Sequence, residues 1–192
     1  MLEQNSSPRV LLVGDGYRGK ITFIGPNPEL YSVMEGRSGE SAIGRLRRFI
    51  IDPNRRRVRL ETLSDEDHEF PIVNPDRACH KHRYGYFARS QGDSAWWTQL
   101  VRIDTRSGAA QHFDLGEHQY CAEPIFAPDP NAAPAGPLEE DRGWLLSEVY
   151  DGIEETSYLA ILCADRLEDG PVAKVNLEHH VPLSFHGTWV AS

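Results

Sequence analysis

The sequence predicts an all-β fold, and three observations carry that prediction. Short apolar or alternating runs recur along the chain, with turn residues between them. No stretch of 12 or more residues sustains an apolar period of 3.6. Thirteen prolines and sixteen glycines suit many tight connections better than helix interiors.

The first two strands are Arg9 to Val13 and Lys20 to Ile24, separated by Gly14-Asp15-Gly16-Tyr17-Arg18-Gly19. That segment spells G-x-G-x-x-G, but a dinucleotide fingerprint needs a helix to start there. Lys20-Ile21-Thr22-Phe23-Ile24 is β-like instead, so the segment reads as a hairpin turn. Residues 1–44 hold seven of the sixteen glycines and stand apart as an N-terminal segment, with residues 45–192 as the main body. Seven arginines fall between Arg45 and Arg59. A basic patch of this kind can meet an anionic surface. In an acidic chain with Glu61, Asp65, Glu66 and Asp67 close by, solvation or ion pairing is the expectation.

Further strands are His82 to Arg89, Thr98 to Ile103, Ala109 to Leu115 after the turn Asp104 to Gly108, and Ala122 to Ala127. A long loop from Pro128 to Gly143 follows, then Gly143 to Tyr150, Ser157 to Ala164 and Val172 to Leu177. The last alternates cleanly, Ala173, Val175 and Leu177 against Lys174 and Asn176. Strands at this spacing suit a sandwich, a barrel or propeller blades, and no internal repeat chooses among them.

The chain of 192 residues carries 29 acidic and 20 basic side chains, a net charge of −9. That balance argues against nucleic-acid binding, which rests on clustered positive charge. No apolar run approaches the roughly 18 residues of a membrane span. Met1 to Ser7 has neither the basic start nor the apolar stretch of a signal peptide, so a cytoplasmic protein is expected. Cys79, Cys121 and Cys163 form no C-x-x-C pair and are expected to be reduced and structural.

All eight histidines lie beyond residue 67. His80 and His82 have the i, i+2 spacing of two ligands on one strand face, yet nothing nearby completes a site. His186 has a distinctive setting in Phe185-His186-Gly187-Thr188-Trp189, an imidazole among aromatics beside a glycine that permits close approach. From the residues alone, a core histidine and a ligand both remain open there.

Six short motifs occur in one order: Glu69-Phe70-Pro71, Arg83-Tyr84-Gly85-Tyr86, Glu123-Pro124-Ile125-Phe126-Ala127-Pro128, Glu140-Asp141-Arg142-Gly143-Trp144-Leu145-Leu146, Gly170-Pro171-Val172-Ala173, and Val181-Pro182 through Trp189. The series resembles the C-terminal part of the carotenoid cleavage oxygenases, a family that includes stilbene-cleaving dioxygenases and the retinoid isomerase of the eye. The resemblance runs from about Gly44 to Ser192. It implies antiparallel blades of a seven-bladed β-propeller with one Fe(II) on its axis, held by four histidines, three of them hydrogen-bonded to glutamates. By resemblance, His186 is the last iron ligand, and Glu69 and Glu123 are two of the supporting glutamates. Phe126 and Phe185, with Tyr84 and Tyr86, are candidate contacts for a conjugated apolar substrate. The implied reaction adds O2 across one double bond of a carotenoid, apocarotenoid or stilbene, giving two carbonyl fragments. Glu69, Glu123 and His186 lie 54 and 63 residues apart, near one four-stranded blade each.

The family's other three ligands lie upstream of its E-F-P motif, and residues 1–67 contain no histidine. The sequence therefore reads as about three blades, a C-terminal fragment or degenerate copy, inactive on its own. Two alternatives stand beside the oxygenase reading. One is a non-enzymatic β-domain that binds or scaffolds. The other is a propeller rebuilt with a complementing N-terminal chain, because open blade edges invite strand pairing. Membrane contact is not legible in the sequence.

Overall fold

Leu145, Ser147 and Val149 are buried and alternate with half-buried Leu146, Glu148 and Tyr150, a period of two that demands a strand with one face in the core. In a computed structural model of the chain, such strands account for nearly all regular structure. The structure describes residues 9–15, 18–24, 45–52, 55–78, 80–91, 94, 96–131, 140–182 and 186–190. Among these residues there is no α-helix, only antiparallel strands and two short 3-10 turns. The chain divides into two units, Met1–His68 with Cys79–Lys81, and Glu69–Ala78 with His82–Ser192.

In the first unit, β1 (Arg9–Asp15), β2 (Arg18–Ile24), β3 (Arg45–Asp52) and most of β4 (Arg57–Ile72) pair antiparallel in chain order. Asp15 opposite Arg18 is the last pair of β1 and β2, so the glycine-rich segment joins two strands of a hairpin. Strands β3 and β4 are poorly marked in the sequence because arginines occupy so many of their positions. Their pairing sets opposite charges together: Arg48 opposite Glu61 at 3.7 Å, with Arg59 also reaching Glu61 at 2.8 Å. Such half-exposed pairs contribute at most about 1 kcal/mol each.

In the second unit, β5 (Tyr84–Arg89), β6 (Gln99–Asp104) and β7 (Ala110–Asp114) form a meander. Ala88 faces Leu100 and Phe87 faces Val101, and all four are buried, so β5 and β6 are covered on both faces. A second sheet runs β12 (Pro171–Asn176), β11 (Thr156–Cys163), β10 (Gly143–Asp151) and β8 (Gln119–Cys121), with β9 (Ile125–Pro128) also on β10. Leu145 pairs with Leu162, Ser147 with Ala160 and Val149 with Tyr158. Of these, the apolar side chains join Phe70, Tyr86, Leu100, Cys121 and Phe126 in one core. Each fully buried Leu or Val contributes roughly 1.5–3 kcal/mol.

The sequence predicts one strand over Ala122 to Ala127; in the structure β8 ends at Cys121, just before that span, and strand resumes only with β9 at Ile125. Val149 pairs with Cys121 and Leu146 with Ile125, so Ser147 and Glu148 stand opposite the three residues Ala122, Glu123 and Pro124. The extra residue makes a bulge, and Pro124 cannot donate to the ladder. The Ser147 hydroxyl donates to the Ala122 carbonyl at 3.0 Å, which satisfies a group that the bulge exposes. Glu123 is thereby released from strand alternation.

The end of the long loop is pinned by its acidic residues. One Glu140 carboxylate oxygen accepts the backbone N–H groups of Arg83 at 2.6 Å and Tyr84 at 2.9 Å, while the Asn74 amide donates to the Glu140 carbonyl at 2.8 Å. Arg102 pairs with Asp141 and stacks 3.8 Å from the Tyr84 ring centroid. Tyr84 is therefore a support for this network.

Candidate metal-ligand site

Glu123, set on the bulge, reaches a segment 63 residues further along the chain. Its Oε2 accepts the Gly187 backbone N–H at 2.9 Å, and its Oε1 lies 3.4 Å from His186 Nδ1. A carboxylate only accepts, so the imidazole Nδ1–H is the donor in this pair. The carboxylate is 16% exposed and the imidazole 73%, so a nearly buried anchor holds a ring that projects outward. His186 Nε2 makes no bond to a described residue. A neutral imidazole with its Nδ1–H on a carboxylate has a fixed tautomer, and its Nε2 lone pair is the one left to bind a metal.

Gly187 permits this approach. A Cβ there would come 2.7 Å from Ile125 Cδ1, so a larger residue would have to push the isoleucine aside. The second ring beside His186 is Phe70, at 6.2 Å between centroids and 86° between planes. Phe70 is buried, adopts a left-handed φ of 52°, and packs edge-on against Trp97 at 4.6 Å.

The predicted site residues divide clearly. The structure brings His186 and Glu123 together. Glu69 is half-buried in β4, directly before Phe70. Phe126 is 1% exposed and packs in the core, 5.3 Å from the Tyr86 ring. Phe185 lies outside the described residues, as does Cys79. His80 is exposed, and His68 is buried with its Nε2 2.9 Å from the Ser64 hydroxyl. Cys121 is free and buried, and burial pushes its thiol up to about 12, so it stays protonated. Phe70 and Trp97 are the neighbours that sequence reasoning missed. A left-handed backbone at a residue preceding proline has no signal in composition or periodicity.

The donor set decides how far this site goes toward an iron centre. His186 has the chemistry of one imidazole ligand, tethered at Nδ1. Among the described residues, no three His, Cys, Asp or Glu side chains come together. The described residues thus supply one ligand and its carboxylate support, and no whole Fe(II) site is built from them alone.

Both the sequence and the fold have known relatives. The chain matches the retinal pigment epithelial membrane protein family over residues 22–191. It is 33% identical over 148 residues to apocarotenoid-15,15'-oxygenase of Synechocystis sp., covering 76% of this chain and 29% of that enzyme. With the carotenoid dioxygenase of Neurospora crassa it shares 36% over 124 residues, 65% of this chain and 19% of that protein. The chain thus spans less than a third of either relative. The crystal structure of cobalt-substituted Synechocystis ACO superposes with a TM-score of 0.83 at 26% identity, over 96% of this chain and 39% of that one.

Proposed function

The chain belongs to the retinal pigment epithelial membrane protein family, the carotenoid cleavage oxygenases, and on that premise we propose that it supplies the C-terminal share of an oxygenase that cleaves a carbon–carbon double bond. Its antiparallel all-β fold is that of propeller blades, as the likeness to the Synechocystis structures supports. The substrate class is a conjugated apolar chain (a carotenoid, an apocarotenoid or a stilbene), and the products are two carbonyl fragments. The observation that carries the reading is the Glu123 carboxylate bonded to His186 and Gly187 together.

In this reading His186 offers Nε2 to Fe(II), and Glu123 fixes the ring's tautomer and direction through Nδ1. Glu69 plays the corresponding part for an imidazole that the described residues do not include. Iron held by neutral imidazoles with open positions supplies activation of O2 beside an alkene. The remaining imidazoles lie outside the described residues, a complementing N-terminal chain being one source for them, and the described residues do not by themselves turn over substrate.

The experiment mixes the purified chain with a separately produced N-terminal portion of the Synechocystis enzyme, adds Fe(II), O2 and an apocarotenoid, and follows aldehyde products. Products in the mixture, absent from either part alone and absent with His186→Ala, are the expected outcome. Turnover that survives His186→Ala, or a mixture that binds iron yet makes no carbonyl product, overturns the reading.

A further inference from the structure

We propose that Phe70 is a positioning residue for His186, a second fixed point that sets the plane of the imidazole while Glu123 sets its direction. The contact at Glu123 is insufficient alone. At 3.4 Å it is a long hydrogen bond, and so weak a contact at Nδ1 leaves the ring able to tilt about its Cβ–Cγ bond. The ring is also 73% exposed, so core packing does not hold it. Phe70 supplies the missing restraint through a T-shaped contact at 86°, the arrangement in which the electron-poor edge of one ring meets the electron-rich face of the other.

Phe70 is itself held more firmly than an ordinary core residue. Its φ of 52° is left-handed, a conformation that costs an aromatic residue of order 1–3 kcal/mol and persists only where its surroundings enforce it. The enforcing groups are present. Burial leaves Phe70 4% exposed, and Trp97 packs against it at 4.6 Å; Pro71, which follows, favours extended geometry and does not itself impose the positive φ. The strain therefore sits where it presents a rigid ring to His186. Phe70 directly follows Glu69 within β4. The use of this geometry to a metal rests on the reading above, while the geometry itself does not.

The test is NMR on the full chain without added metal. Wild-type protein should show a nuclear Overhauser contact between the Phe70 and His186 rings and a ring-current displacement of the His186 ring protons. In Phe70→Leu that displacement should vanish, and the Gly187 amide should exchange about tenfold faster while the β10 and β11 amides keep their protection. Phe70→Tyr, which keeps the ring, should restore the displacement. Val149→Ala, a truncation in the β10 core, should lower overall stability without moving the His186 signals. A folded Phe70→Leu chain with unchanged His186 shifts and Gly187 exchange overturns the proposal. So does the absence of the wild-type ring-to-ring contact, which needs no variant to fold. Neither readout involves iron, so a reconstituted mixture that binds iron yet makes no carbonyl product would remove the oxygenase reading and leave Phe70 in its role.

Discussion

Glu123 Oε1 lies 3.4 Å from His186 Nδ1, and the same carboxylate takes the next backbone N–H, that of Gly187, at 2.9 Å. One side chain released by a bulge thus clamps two consecutive groups of a segment far along the chain. The clamp matters more than either bond, because it orders the backbone and the ring at once.

Removing the carboxylate should free that segment. Glu123→Ala is expected to raise Gly187 amide exchange about tenfold or more and to lower overall stability by about 1 kcal/mol. Glu123→Gln, which keeps one acceptor oxygen, should fall between. Amide exchange followed residue by residue checks this, and unchanged Gly187 protection in the alanine variant would contradict it.

Gly143 opens β10 at a φ of 153°, where an added Cβ would press into the backbone carbonyl oxygen of Ala127 on β9. Backbone cannot swing aside as a side-chain end can. Gly143→Ala should destabilise the chain by about 2–4 kcal/mol, measured as a lower urea midpoint. A loss below about 0.5 kcal/mol would mean that the strands part easily there.

Asp104 is the partner of Arg83, whose Nη2 and Nε donate to its Oδ2 at 2.7 and 3.0 Å. The Arg83 bond, aided by the Arg106 backbone N–H, holds the Asp104 carboxyl well below the usual carboxylate range. A depressed native pKa stabilises the fold above the unfolded value of about 3.9 and loses that contribution as pH falls toward the native value. Asp104→Asn should therefore cost stability at pH 7 and progressively less below about pH 4. Urea titrations of both proteins at pH 7 and pH 3 give the comparison, and a gap that widens at low pH would contradict the assignment.

Cys121 sits fully in the core, with its thiol pushed up to about 12 by burial. At pH 8 only about one thiol in 10,000 would be ionised, and the thiolate is the reactive form. Iodoacetamide should leave Cys121 unmodified in the folded chain and label it once urea unfolds the protein. Rapid labelling in the native state, read by peptide mass spectrometry, would place Cys121 outside the core.

Strands with clean alternation are legible in the amino-acid sequence itself. Gly143 to Tyr150 and Ser157 to Ala164 are β10 and β11 to within a residue or two, because a one-sided sheet buries every second side chain. The long β4 is not legible in this way, since charged residues and a pair of register shifts interrupt its pattern. At the site, motif resemblance singles out Glu123 and His186, and the glycine after His186 marks a point of close approach. The bulge at Glu123 stays hidden because the extra residue shows only when opposite strands are counted together. Phe70 is hidden for a different reason: burial and neighbouring rings, remote in sequence, impose its left-handed backbone.

On the proposed reading, His186 is one metal-ligating imidazole whose partners lie beyond the described residues. Anaerobic Fe(II) titration of the full chain, followed by NMR broadening of the His186 ring signals and by iron content after desalting, tests it most directly. Broadening centred on His186 and abolished by His186→Ala is expected, with little iron retained through desalting. Iron retained at about one per chain in both the native protein and His186→Ala would contradict it, and so would His186 signals that Fe(II) leaves untouched.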